Sequence, residues 1–192
     1  MPRRSTTPSA RETELLEKAY DYVLAKGLSD LSLRPLAAAI GSSPRVLLFL
    51  FDSKEELVRR LLARARQGEL DWLRDHDPTD LESTLSLVWA WLSDPGHAGL
   101  LRLWTEAYAR SLTDPSGPWG EFARTTVEDW LQLLASAQPP ALRRTARGRD
   151  QRTAALALLR GAMLDLLATG DRRRVNRAVD AAIAAIERRQ PP

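Results

Sequence analysis

The sequence has no cysteine and only two histidines, His76 and His97, among 192 residues. The absence of cysteine excludes disulfide bonds, thiolate zinc sites and a cysteine nucleophile. With two histidines we expect no multi-histidine metal site. The sequence also contains no motif that indicates a cofactor, so we expect none.

Long apolar runs are missing as well. No uncharged stretch approaches the roughly 18 residues that a membrane span needs, and the first sixteen residues do not resemble a signal peptide. We therefore expect a cytoplasmic protein with no membrane partner. The net charge of +3 is too small to indicate a partner, and the scarcity of lysine among the 28 basic residues is attributed to GC-rich coding.

Strand-like patterns are absent too. Apolar residues follow helical spacing almost everywhere, and no β-branched run alternates with polar residues. The pattern predicts an all-α protein of about nine helices, with boundaries marked by proline, glycine and aspartate. The predicted helices cover residues 11–26, 33–40, 44–51, 54–75, 79–93, 98–112, 118–137, 150–169 and 171–189.

Two short predicted helices are joined by Gly41-Ser42-Ser43, a pattern typical of a helix-turn-helix. In such a motif the N-terminal end of the second helix faces the major groove of DNA. Arginine there can donate two hydrogen bonds to guanine, and helix N-termini favour phosphate. The predicted core of the motif comprises Leu33, Leu36, Ala37, Ile40, Val46 and Leu47. The predicted DNA-binding residues are Ser32, Arg34, Ser42, Ser43, Pro44, Arg45, Phe49 and Lys54.

The stretch LSLRPLAAAIGSSPRVLLFLFDSKEELVRRLL resembles the DNA-binding segment of the tetracycline-repressor (TetR) family of bacterial regulators. The shared frame comprises Leu33, Leu36-Ala37, Ile40-Gly41, Ser43, Leu47, Phe51, Ser53-Lys54-Glu55 and Leu57. The sequence departs from the usual pattern at three positions. Leu48 stands where a phosphate-binding tyrosine is common, Leu50 replaces histidine or tyrosine, and Arg45 replaces a frequent glycine.

The resemblance implies two domains. Residues 1–55 would bind DNA, with Arg3 and Arg4 on a flexible arm able to enter the minor groove, and residues 56–192 would bind a ligand and form a dimer. No charged cluster points inward by spacing, so we expect an apolar or aromatic effector. The alternative is that the aromatic residues proposed below to line a ligand pocket form an ordinary core. The candidate pocket residues are Trp89, Trp104, Tyr108, Phe122, Trp130 and Met163.

The segment 154–167 is apolar nearly all round, which is typical of a central helix or an oligomer interface. With the last helix it could form a four-helix interface between two copies, and the alternative is packing within one copy. The candidate interface residues are Leu158, Ala162, Leu166, Val179 and Ile183.

The function that the sequence favours is a dimeric DNA-binding regulator. We expect it to act as a repressor that binds a palindromic operator and leaves it when an effector binds. An enzyme is the second class, but no catalytic triad, phosphate loop or inward carboxylate pair supports it. The third is a protein-interaction module that uses the apolar third helix. His97 is expected in a solvated turn, with contact to a ligand as the alternative. The arginines between 143 and 152 are expected in a solvated, mobile loop, with a second DNA site as the alternative.

Overall fold

A computed structural model describes residues 9–27, 31–75, 80–117 and 119–188, which form ten α-helices, one 3₁₀ turn and no strand. The all-α prediction is confirmed. The helices are α1 (Ala10–Lys26), α2 (Leu33–Ala39), α3 (Pro44–Phe51), α4 (Lys54–Asp75), α5 (Leu81–Ser93), α6 (Ala98–Thr113), α7 (Gly120–Ser136), α8 (Pro140–Arg143), α9 (Ala146–Thr169) and α10 (Arg172–Arg188), with the 3₁₀ turn at Pro95–His97.

Side-chain caps define where several helices begin. Ser9 and Glu12 form a reciprocal capping box at α1, and Asp80 and Ser83 form another at α5. At α9, the Thr145 hydroxyl accepts a hydrogen bond from the backbone N–H of Gly148 at 3.0 Å. These caps satisfy N–H groups that have no partner within their helix, so the boundaries follow from local sequence.

The apolar side chains gather into two clusters. The N-terminal cluster joins α1–α4 to one face of α6, through Leu103 and Ala107, and the C-terminal cluster joins α5, α6, α7, α9 and α10. The large, fully buried side chains of the N-terminal cluster include Leu15, Leu36, Leu47, Phe51, Leu57 and Leu61. Helix α6 therefore contacts both clusters and connects them.

Close contacts fix the N-terminal helices to the rest of the chain. Arg60 of α4 pairs with Glu12 of α1, and Arg64 pairs with Glu17 at 2.6 Å. At Gly99 of α6 an added Cβ would lie 2.7 Å from the carbonyl oxygen of Leu24. Only a glycine lets α6 approach the α1 backbone this closely.

The arginine-rich segment after the double proline differs from the expected mobile loop. It forms α8 and the first turns of α9, which accounts for the tenth helix. The buried side chain of Gln138 donates to the Gly148 carbonyl at 3.0 Å, while Arg143 Nε donates to the Gln138 carbonyl at 2.7 Å. Arg152 donates to the Gln138 amide oxygen at 3.2 Å. These hydrogen bonds order the arginines against backbone carbonyls.

In the described ranges, no single helix is both long and apolar enough to cross a membrane. Helices α2 and α3 pass that test of length and composition only as a pair, and they are bent by 102° relative to each other. Among the same residues, no group of three or more histidine, aspartate or glutamate side chains could hold a metal ion. His76, Arg3 and Arg4 lie outside the described residues.

Candidate functional site

Helices α2 and α3 form a tight helix-turn-helix. The turn passes through Gly41, whose φ of 67° is in the left-handed region that favours glycine, and the Ser42 N–H donates to the Ala37 carbonyl at 2.8 Å. Leu36, Ala37 and Leu47 are fully or almost fully buried beneath it. Packing of these residues against α1 and α4 fixes the outward face of α3.

That outward face combines a cation with apolar side chains. Arg45 is exposed, Phe49 is 71% exposed and Leu48 is 44% exposed. Val46, which was expected in the core, is 38% exposed. It follows Arg45 on a helix whose buried positions are Leu47 and Phe51, four residues apart, so its side chain falls outside the buried stripe.

The remaining predicted DNA-binding residues gather around the N-terminal ends of α2 and α3. Ser32, Arg34 and Pro44 line one shallow groove there. The Ser43 hydroxyl caps α3 by accepting from the Val46 N–H at 3.3 Å. The Ser42 hydroxyl caps none of the described helices. Its Oγ is buried and meets no hydrogen-bond partner among the described residues. Lys54 is half-buried at the start of α4.

A cavity of about 350 Å³ lies between α4, α5, α6, α7 and α9. Four of the six predicted pocket residues line it, namely Trp104, Phe122, Trp130 and Met163. Exposed residues of α4 and α7, including Glu55 and Glu121, form its mouth, and buried residues of α5, α6 and α9 form its inner wall. The arrangement suits an apolar molecule that enters between α4 and α7.

The other two predicted pocket residues lie elsewhere. Trp89 is buried on the opposite side of α5, where its indole N–H donates to Asn176 of α10 at 3.1 Å. Tyr108 lies behind the lining, stacked on Trp104 with ring centroids 4.9 Å apart. Trp91 and Trp119 line the cavity instead. Helical spacing places Trp89 and Trp91 on different sides of α5, but it does not tell which side faces a cavity.

Several charged side chains line the cavity as well, in contrast to the expectation that no charged cluster points inward by spacing. Arg66 of α4 pairs with Asp129 of α7 at 3.6 Å and lies over the Trp130 ring at 5.6 Å. Arg160 of α9 lies on the same helix face as Leu156 and Met163. The spacing 156, 159, 160 and 163 puts Arg160 on the same face as three apolar residues, and this signal lay within a segment that is mostly apolar.

Solved structures share the overall fold. A TetR transcription regulator from Haloarcula marismortui matches with a TM-score of 0.75 and 16% identity, covering 92% of this chain and 96% of that one. A transcriptional regulator from Rhodococcus sp. Rha1 matches at 0.74 and 20%, covering 91% and 95%. The multidrug-binding protein EbrR, complexed with imidazole, matches at 0.61 and 21%, covering 94% and 96%.

The chain has the TetR fold. Neither a protein-family model nor a curated protein sequence matches it. The assignment of the fold rests on the structural likeness, which covers 91–94% of this chain in these three structures.

Within this TetR fold, the predicted dimer residues fall into two groups. Leu158, Ala162 and Leu166 of α9 are partly exposed, whereas Leu164, which is 47% exposed, lies on a different side of the helix. Val179 and Ile183 of α10 are instead buried within one copy, in the C-terminal cluster. These two residues present no surface to a second copy. Their stripe faces inward because α10 packs on α5 and α9.

His97 is not a solvated loop residue in this TetR fold. Its ring stacks on Trp91 with centroids 4.3 Å apart, and its Nδ1 lies 2.8 Å from the Trp91 carbonyl oxygen. His97 thereby supports a tryptophan that lines the cavity.

Proposed function

We propose that the chain is a dimeric, ligand-responsive DNA-binding transcriptional regulator, which acts as a repressor at a palindromic operator. The observation that carries this proposal is the outward face of α3. A compact helix-turn-helix with buried Leu36 and Leu47 presents Arg45 and Phe49 to solvent. The TetR fold shared with transcriptional regulators supports the same interpretation. The proposal includes no catalytic step.

On DNA, α3 would lie in the major groove with Arg45 reaching a guanine edge or a phosphate. Phe49 would pack against a thymine methyl group or the sugar backbone. Ser32 and Arg34, at the start of α2, would contact phosphates beside the major groove of the DNA. These contacts position the helix and read bases with few side chains.

A second copy would dock on α9 through the partly exposed Leu158, Ala162 and Leu166. Small residues such as Ala162 let two helices approach closely. The resulting two-fold symmetry would place two α3 helices about 34–36 Å apart, one turn of DNA. Residues 1–55 would serve as the DNA-binding domain and 56–192 as the effector and dimer domain.

Helix α4 provides a physical route from ligand to DNA. It follows α3 after only two residues, and its own residues Leu62, Ala65 and Arg66 line the cavity. Its pairs with α1 through Arg60 and Arg64 make the N-terminal helices move with it. A ligand that pushes α4 away from α7 would change the spacing of the two α3 helices. DNA release then follows from the ligand's different affinity for the two states.

The effector in this proposal is a small molecule with a largely apolar body. Trp91, Trp104, Trp119, Phe122 and Trp130 line the cavity, and such aromatic rings bury large apolar areas on contact. EbrR, which has the same fold, is a multidrug-binding protein complexed with imidazole. That likeness supports a small-molecule effector for this chain.

A protein-interaction module is the second candidate, favoured by the exposed apolar side chains Val46, Leu48 and Phe49 on α3. Salt dependence separates the two candidates. DNA binding weakens steeply as salt rises because phosphate contacts release counterions. Docking of these apolar side chains on a protein would not weaken steeply as salt rises.

The test is fluorescence anisotropy of the full chain on labelled DNA flanking its own gene, across a salt series. We expect saturable, sequence-selective binding that weakens with salt. Arg45→Ala should weaken it by about 1–3 kcal/mol, while Arg102→Ala, an exposed arginine on α6, should leave it unchanged. No preference over random DNA at low salt would refute the proposal and favour the interaction module.

A further inference from the structure

One charged group in the cavity has unused hydrogen-bonding capacity. The Arg160 guanidinium lies over the rings of Trp104 and Tyr108, at 5.4 and 5.0 Å from their centroids. Its Nη1 donates to the Tyr108 hydroxyl at 3.1 Å. Its Nε and Nη2 are buried and meet no hydrogen-bond partner in the part of the chain that the structure describes.

The two unused donors belong to the same edge of the guanidinium. Nε–H and one N–H of Nη2 point in parallel, at a spacing that matches the two oxygens of a carboxylate. Nη1 lies on the other edge, where Tyr108 holds it. The aromatic rings and the tyrosine hydroxyl therefore orient the side chain and leave its bidentate edge buried without a partner.

Leaving these donors unmet has a cost, because a buried polar group without a partner loses its hydration. Burial lowers the pKa of Arg160, yet the guanidinium stays protonated in a protein. The cavity therefore holds a partly desolvated positive charge that an anion would stabilise.

The acidic residues of the cavity already have other partners or lie at its mouth. Asp129 pairs with Arg66 across the cavity, and Glu121 pairs with Arg124. Glu55 and Glu121 are exposed. These carboxylates balance charge near the entrance and make no described bond to Arg160.

We propose that the cavity binds a small aromatic or aliphatic carboxylate, whose oxygens accept hydrogen bonds from Nε and Nη2 of Arg160. Its apolar body would lie against Trp104, Phe122 and Trp130. The cavity volume of about 350 Å³ is sufficient for a compact molecule of this kind. This inference rests on the proposed function, in which the cavity holds the effector.

The test is isothermal titration calorimetry of the full chain with three matched pairs of probes. These are benzoate, 2-naphthoate and biphenyl-4-carboxylate, each compared with its neutral primary amide of the same shape. For at least one pair we expect the carboxylate to bind about tenfold tighter or more. Arg160→Gln should abolish that preference while amide binding persists, and Arg102→Gln should leave both unchanged.

A thermal melt of the Arg160→Gln variant would detect a folding defect. A second variant, Arg160→Lys, tests the same contact with a smaller change. Arg160→Lys keeps the charge but not the two parallel donors, so it should retain only part of the preference. The inference is overturned if no carboxylate exceeds its amide, or if a folded Arg160→Gln variant keeps the preference.

DNA anisotropy with the same probes separates this inference from the proposed function. Carboxylate binding through Arg160 that leaves DNA affinity unchanged would uphold the site and refute the ligand response. Selective DNA binding with no carboxylate preference would uphold the DNA-binding regulator and overturn this inference alone.

Discussion

Two phenylalanines on α3, only two residues apart, should respond in opposite ways to the same substitution. Phe51 is fully buried, while Phe49 is 71% exposed. Truncation of a buried phenylalanine to alanine costs about 3–5 kcal/mol of unfolding free energy. Phe49 buries less than a third of its surface in the free chain, so Phe49→Ala should cost about 1 kcal/mol or less. Urea unfolding of the two variants measures this difference.

DNA binding should show the reverse dependence. An exposed aromatic ring that becomes covered on DNA buries on the order of 100 Å², a ceiling of about 2–3 kcal/mol. We expect Phe49→Ala to weaken operator binding by about 1–2 kcal/mol, or roughly 5- to 30-fold. The salt dependence should not change, because phenylalanine neutralises no phosphate. Anisotropy across a salt series measures both quantities. Unchanged DNA affinity in a folded Phe49→Ala variant, or destabilisation as large as that of Phe51→Ala, would refute this reasoning.

Three other substitutions test separate parts of the structure. Leu48→Tyr restores a hydroxyl that can reach a phosphate, so DNA affinity measured by anisotropy should rise by about 0.5–1.5 kcal/mol; a weaker complex would contradict this. Gly99→Ala places a Cβ 2.7 Å from a backbone oxygen of α1 and should cost about 1–3 kcal/mol in urea unfolding. The control Gly161→Ala meets no atom within 4 Å and should stabilise the protein by about 0.5–1 kcal/mol, so equal effects would refute the clash. Hydrogen bonds from Arg174 lower the pKa of Asp165 below its usual 3.8, so their stabilisation is present above that pH and is lost as pH falls through the lower folded value. Asp165→Asn should therefore destabilise the chain at neutral pH by an amount that shrinks below pH 3.8 in a urea series, and a constant difference would contradict the ion pair.

The sequence predicted most of the helix-turn-helix because its signals are local. Gly41 and Ser43 determine the turn and the start of α3, and the buried positions Leu36 and Leu47 follow helical spacing. The prediction that Val46 belongs to the core was wrong. Val46 lies next to the buried stripe, where helical spacing does not distinguish a buried side chain from an exposed one. A pattern of apolar residues locates a helix more reliably than it locates the edge of its buried face.

The cavity and the dimer surface could be predicted only in part, because both depend on which helices meet. Trp89 and Trp91 are both tryptophans of α5, yet of the two only Trp91 lines the cavity. Val179 is buried within one copy since α10 packs on α5, a contact between residues far apart in sequence. Arg160 is visible as an isolated cation in an apolar segment, but only the tertiary structure places it beside Trp104 and Tyr108.

If two α3 helices read one operator, hydroxyl-radical footprinting of the full chain on DNA flanking its own gene detects both contacts. We expect two protected segments centred about 10 base pairs apart, which disappear in the Arg45→Ala variant. Uniform cleavage along the DNA at saturating concentrations of folded protein would contradict it.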